Sequence, residues 1–352
     1  MKTNIKNYMH LGNRTLSDAR DCLQDYQIRI QQRVSDSVNL YVMPDKKLGW
    51  RNAPNATHPI WQYSTNTFGN RRTSKVDFSN KGNLSLNIAI AGNSYVHGDE
   101  SLDEDTWVWQ LQEAFKGEGI VHNLGVSAYA TDQSYLRLKE FTKTTKLDIA
   151  VLALTTTDIY RNLNLCRAFI LNDKEIPLFK PRFSLDDGTL RLLEVVAYDV
   201  DELSDALKDR AILKFLRKHD YFFPSEKNQL LQILRRFHVP IESEWRRFLD
   251  PAIELTSSIF NSFIAFCREN DITPIILILP VYWGAFKAGA EFDEITARLD
   301  DASVVVDARS IFTASRLEEF KGLIHHKHNH FTQLSGSWIS DFLYIEIRER
   351  CL

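Results

Sequence analysis

The chain is short of several things, and each shortage removes a class of protein. Its 352 residues hold four cysteines, Cys22, Cys166, Cys267 and Cys351, far apart and with no CxxC pair. That excludes a disulfide framework and a cysteine-rich zinc site, and it reads as reduced thiols in a cytoplasmic protein. Basic residues do not outnumber acidic ones: 43 against 46 leaves a net charge of −3. No positive field is therefore expected to hold a nucleic acid backbone. No stretch approaches the roughly 18 apolar residues of a membrane span. Residues Met1 to Gln27 are polar and mixed in charge, without the apolar core of a secretion signal. Internal repeats and low-complexity segments are also missing.

What remains is ordinary globular composition, 44% hydrophobic and 25% charged, which rules out disordered, collagen-like and coiled-coil chains. The length fits one large domain or two small ones. Leu86 to Ala91 is a short apolar run ending at Gly92, as a buried parallel strand would be. Asp103, Glu104 and Asp105 then precede Trp107, Leu111 and Phe115, a helical stripe with acids at its start. The unit recurs: Ile120 to Leu124 reads as a strand, and Thr131 as the cap of a helix carrying Tyr135, Leu138 and Phe141. Asp148 to Leu154, Pro274 to Leu279 and Val304 to Asp307 supply three more strands, and a last helix carries Leu334, Trp338, Phe342 and Ile345. This alternation predicts a three-layer α/β/α sandwich, flavodoxin-like, around a parallel sheet of about five strands.

Two regions break the alternation. Tyr41 to Gly82 is rich in Asn, Thr, Pro and Arg and free of helical pattern, so residues 1–82 are expected to form an N-terminal extension wrapping the core. Residues 162–268 read as a mostly helical insertion, including Val200 to Lys218 and Leu230 to Phe237. Within it, Phe222-Phe223-Pro224 reads as a core wedge, with a lid as the alternative. The whole, 1–352, is expected to form a single domain.

Ligands of open parallel sheets bind beyond the carboxyl ends of the strands. Those ends carry Gly92-Asn93-Ser94-Tyr95-Val96-His97-Gly98, then Asn123-Leu124-Gly125-Val126-Ser127, then Thr155-Thr156-Thr157-Asp158. Just before the last helix stands His330, followed by Phe-Thr-Gln-Leu-Ser-Gly. This ordered set, spread over roughly Leu40 to Phe342, resembles the SGNH (GDSL) hydrolases, named for a Ser, a Gly, an Asn and a His in four blocks. Lys180-Pro-Arg-Phe-Ser-Leu-Asp-Asp-Gly and Leu48-Gly-Trp-Arg-Asn-Ala-Pro-Asn also resemble segments of bacterial members. The resemblance implies a serine esterase or deacylase without metal or cofactor, acting on a small acyl ester such as an acylated carbohydrate. Ser94 would be the nucleophile and His330 its base, with the Ser94 and Gly125 N–H groups and Thr157 around the oxyanion. A serine hydroxyl needs such a base, histidine titrates in the right range, and pre-aimed donors stabilise the developing charge.

Three positions depart from the family pattern. Position 157 is Thr where the family has an amide-bearing Asn, Lys327 stands where it has the Asp that orients the His, and Asn93 replaces the first-block Asp. A transferase with a sugar hydroxyl as acceptor, and a degenerate binding protein, therefore stay open beside the esterase. So do plainer roles. Ser94 also suits a helix N-cap, His330 a helix entrance, His97 packing, and Asp158 and Asp307 structural acceptors. Trp61, Tyr282 and Trp283 suit core or surface packing as well as a sugar platform. His325, His326 and His328 crowd one loop without a carboxylate or thiolate at ligand spacing, so no metal is expected there.

Overall fold

The computed structural model describes residues 15–36, 40–75, 86–170, 175–225, 242–280, 289–312 and 330–352. In chain order the elements are α1 (Leu16–Ser35), β1 (Val42–Asp45), β2 (Gly49–Asn52), β3 (Leu86–Ala91), α2 (Ser94–His97), α3 (Trp107–Ala114), β4 (Gly119–Asn123), α4 (Thr131–Phe141), β5 (Ile149–Leu154) and α5 (Thr156–Arg161). They continue with β6 (Arg182–Asp186), β7 (Thr189–Leu193), α6 (Leu203–Ala206), α7 (Arg210–His219), α8 (Glu242–Glu269), β8 (Thr273–Ile278), α9 (Ala290–Thr296), β9 (Val305–Asp307) and α10 (Gln333–Cys351). The chain divides into two compact units, Met1–Arg51 with Tyr160–Leu255, and Asn52–Ile159 with Thr256–Leu352.

The second unit holds a five-stranded parallel sheet in the order β4-β3-β5-β8-β9. Counted along the sheet's own strands that is 2-1-3-4-5, the flavodoxin-like order, whose switch point lies between β3 and β5. Alternation assigns the two faces. Ile88, Ile90, Val151, Ala153, Ile275 and Leu277 join Trp107 and Leu111 of α3, its C-cap Phe115, and Ile339, Leu343 and Ile347 of α10 in one buried cluster. The opposite face carries the smaller Ala89, Ala91 and Ala150, and α4 packs there against β3 and β5. The C-terminal half of α8 lies beside α4, with the Tyr135 hydroxyl donating to the Ser262 carbonyl at 3.0 Å and its ring edge-on to Phe263. Helices on both faces explain why the strands are continuous apolar runs. The expected three layers are present.

Residues 52–75 form no helix and run along the edge strand: Arg71 bridges Asn123, and the Thr73 hydroxyl donates to the Val121 carbonyl. The first unit contains α1, α6, α7 and the antiparallel hairpin β6–β7, turned by Asp187 and Gly188 with φ of 48° and 75°. Two positive φ values in a two-residue loop suit the twist of a tight hairpin. Phe223 is buried against Phe169 in this unit, and Asp220 collects the N–H groups of Leu165, Cys166 and Phe222. The Leu230 to Phe237 helix expectation falls outside the described residues. Thr131 is the first helical residue of α4 and not its cap; Ala130 caps, its N–H donating to Gln133 Oε1. Among the described residues no helix is long and apolar enough to cross a membrane.

Candidate active site

Ser94 opens α2 directly beyond the end of β3, at the switch point of the sheet. Asn93 caps that short helix, its Oδ1 accepting from the Tyr95 N–H at 2.9 Å. The Asn93 amide reaches across to the end of β5, donating to Thr155 Oγ1 and to both oxygens of Asp158 at 2.8–3.0 Å. Asp158 also accepts from the Thr155 N–H and hydroxyl. This buried carboxylate therefore ties the third block to the first, and Asn93 supplies the amide that keeps the pair free of like charge.

His330 lies in the same unit, at the entrance to α10. Its Nδ1 stands 2.9 Å from Glu100 Oε2, with both side chains nearly buried. An ionised carboxylate can only accept, so this contact places a proton on Nδ1. The imidazole packs 5.0 Å from the Tyr95 ring, one residue after Ser94. The Ser101 hydroxyl donates to the Phe331 carbonyl, a second tie between this turn and the start of the last helix. Glu100 thus stands where an orienting acid is needed. Lys327, at the position of the expected Asp, falls outside the described residues, as do His325, His326, His328, Tyr282 and Trp283. Trp61 is half-buried.

The turn between Ser94 and Glu100 is tightly shaped. Gly98 closes α2 at φ 79°, and a Cβ there would sit 2.5 Å from Thr106 Cγ2. Glu100 itself has φ 69°, rare for a residue with a side chain. His97 is fully buried, its Nδ1 donating to Asp99 at 2.5 Å and its ring edge-on to Tyr63. Burial works to hold the His97 imidazole below its usual range, against the pull of Asp99. Burial works to raise Asp99, but His97, His330 and the Ser127 hydroxyl outweigh it and hold the carboxyl well below the usual range.

The second and third blocks present a different picture. Gly125 is required by close approach, since a Cβ would fall 2.2 Å from the His97 backbone nitrogen. Its N–H donates to Asn123 Oδ1 at 2.9 Å, and its carbonyl accepts from Asn52 Nδ2. Thr157 Oγ1 lies 3.0 Å from Thr155 Oγ1. The Thr155 hydroxyl has one proton, directed at Asp158, so Thr157 is the donor of that pair.

Glu100, Asp99 and Arg71 are functional candidates that sequence reasoning passed over. Asp99 and Glu100 directly follow the Gly92 to Gly98 block, where acids after a turn glycine were the available signal. Arg71 sits in the loop-rich segment before the first core strand and gave no signal.

No family model and no curated protein matches the chain. Among solved structures it is similar to the psychrotrophic esterase EstA from Pseudoalteromonas sp., inhibited by monoethylphosphonate, at 11% identity and TM-score 0.41, over 75% of this chain and 98% of that one. The acetyl xylan esterase AlAXEase gives 11% and 0.42, over 74% of this chain and 100% of that one. A member of the lipolytic protein G-D-S-L family from Veillonella parvula gives 12% and 0.35, over 76% and 100%. Likeness at this level decides nothing about the chemistry of this chain, which rests on its own residues.

Proposed function

We propose that the protein is a serine esterase or deacylase of the SGNH (GDSL) type, acting on small acyl esters, with acylated carbohydrates as one substrate class. The observation that carries this reading is the buried contact, 2.9 Å, between His330 and Glu100, which stands on the turn that follows Ser94. Ser94 Oγ attacks the acyl carbon while His330 Nε2 takes its proton, and the carbonyl electron pair moves to oxygen. Collapse of that intermediate expels the alcohol, protonated by His330, and leaves the acyl group on Ser94. Water then attacks with His330 as base, and Ser94 departs with the proton. Glu100 keeps the ring in the productive tautomer and stabilises the imidazolium, the role an aspartate plays in other serine triads. The Ser94 N–H, first in its helix and without an intrahelical partner, is the oxyanion donor; Gly125 and Thr157 join it only by giving up their bonds to Asn123 and Thr155. An acyltransferase would share every step to the acyl-enzyme and differ only in its acceptor.

A second reading, a binding protein without turnover, is favoured by one specific feature: the Gly125 N–H and the Thr157 hydroxyl both donate within the protein. Hydrolysis of p-nitrophenyl acetate by wild type and Ser94→Ala separates the two, together with a fluorophosphonate label located by mass spectrometry. The esterase reading expects turnover lost in Ser94→Ala and the label on Ser94. Equal rates in both proteins, with no adduct at Ser94, would leave only the binding reading.

A further inference from the structure

Arg71 is a buried cation from the segment ahead of the core strands, and its guanidinium is directed at one turn. Nε donates to Asp103 Oδ1 at 2.8 Å. One terminal nitrogen donates to the carbonyls of His97 (3.1 Å) and Gly98 (2.9 Å), and the other to the carbonyl of Ser101 (2.7 Å). The Tyr63 ring covers the group at 4.2 Å. The three carbonyls flank Asp99 and Glu100 on both sides, so the guanidinium spans the turn that presents Glu100 to His330. The backbone of Arg71 meanwhile bridges Asn123, whose side chain donates to the Val96 carbonyl and accepts from the Gly125 N–H. One residue is thus pinned to both of the first two blocks.

Arginine suits this place for a physical reason. A buried cation is tolerated only when paired and hydrogen-bonded, and here a carboxylate and three carbonyls meet it. The planar fork fixes the directions of its donors, whereas a lysine ammonium is a compact point that cannot reach Asp103 and both flanks of the turn together. Glu100 needs such a clamp, because a side-chain-bearing residue at φ 69° persists only where its surroundings over-determine it.

We propose that Arg71 is a positioning residue for the base: it clamps the turn from His97 to Ser101 so that the Glu100 carboxylate meets His330 Nδ1. The functional consequence rests on the reading of His330 as the base, whereas the structural claim does not. Histidine-selective 15N spectra of the whole protein test that claim directly, with the His330 signal assigned through His330→Gln. Wild type should show His330 protonated at Nδ1, and Arg71→Lys should turn it into a mixture of tautomers. The same substitution should lower kcat for p-nitrophenyl acetate by roughly 10²-fold, as expected for a displaced catalytic group. KM should stay within about threefold. In a Glu100→Gln background it should change kcat by less than about twofold, since residues acting through one another are not additive.

An unchanged His330 tautomer in folded Arg71→Lys overturns the proposal, and so do fully additive losses. If Arg71→Lys does not fold, Asp103→Asn loosens the guanidinium while keeping it. It should move the tautomer and kcat in the same direction by a smaller factor, and no movement in either overturns the proposal. A wild type without esterase activity would defeat the esterase reading alone, leaving the tautomer measurement to decide the role of Arg71.

Discussion

On the side of Ser94 proposed for proton transfer, His330 and Glu100 are buried, 2.9 Å apart, and braced by a turn that three Arg71 hydrogen bonds hold in shape. On the oxyanion side, the groups the family resemblance nominates have donors engaged elsewhere, Gly125 with Asn123 and Thr157 with Thr155. In the proposed reading, the first half is the one built for proton transfer. The other half is closed on itself, and removal of a single oxyanion donor typically costs about 10²–10³ in rate. The difference predicts a slow hydrolase whose rate depends heavily on the base and responds little to present oxyanion donors.

The strongest attack on that comparison is Glu100→Gln. The amide can still accept from Nδ1 through its oxygen, so geometry survives, but the negative charge that fixes the tautomer and supports the imidazolium is gone. By analogy with the trypsin-type aspartate, kcat should fall by roughly 10²–10⁴. Steady-state kinetics that change by less than twofold would show that the buried pair is structural and that the well-built half of the site does no chemistry.

The next effect concerns the tie between the halves. Asn93→Asp restores the residue usual in the first block but sets a second carboxylate within about 3 Å of Asp158, where the amide now donates. An uncompensated buried charge of this kind costs on the order of 3 kcal/mol. The sign with pH follows from linkage. Two facing carboxylates raise one native pKa above its unfolded value, so the lost stability returns as pH falls through that raised value. Urea unfolding of variant and wild type should therefore diverge at pH 8 and converge toward pH 5. Parallel curves would mean that Asp158 does not depend on the Asn93 amide.

A third measurement keeps the pH behaviour of the site apart from that of the scaffold. His122 on β4 has a buried Nε2 with no hydrogen-bond partner among the described residues, and burial pushes its imidazole down to about 4. The folded value lies below the unfolded one of about 6.5, so the unfolded chain binds more protons and stability falls as pH drops from 6.5 toward 4. Between pH 7 and pH 5 the loss should be about 2 kcal/mol. His122→Phe should abolish that part of the acid sensitivity in urea titrations, while the pH profile of kcat/KM keeps its shape. A pH-stability slope unchanged in the variant would assign the acid sensitivity to another group.

The sequence made the scaffold legible and the pairing at the candidate site opaque, for reasons visible in particular residues. Leu86–Ala91 and Ile149–Leu154 are strands covered on both faces, which demands uninterrupted apolar runs, and such runs stand out within a residue of their true ends. The family-like blocks fall at those strand ends. Glu100 and His330 meet across 230 positions, and no spacing rule connects residues brought together only by the closure of the sheet. Asp187-Gly188 was a readable hairpin signal inside a segment read as helical. Thr131 shows the opposite error: a good capping residue placed one step inside the helix, because Ala130 and Gln133 close the terminus between them.

The smallest expected effect sharpens the comparison most. Thr157→Asn replaces a hydroxyl that donates to Thr155 with an amide carrying two N–H donors on a longer arm. One donor can keep the bond to Thr155 Oγ1, now 3.0 Å from the Thr157 oxygen, and the second is left for an oxyanion. Because a neutral donor aimed at developing charge contributes most in the transition state, the gain should fall on kcat, with KM nearly constant. An increase of about tenfold is expected, less than the full value of a well-placed donor because the new side chain is not held in place from behind. The increase should vanish in Glu100→Gln if proton transfer then limits the rate. A variant no faster than wild type, yet equally stable, would show that the third block has lost its line to the reacting carbon altogether, and that position 157 no longer belongs to the oxyanion half.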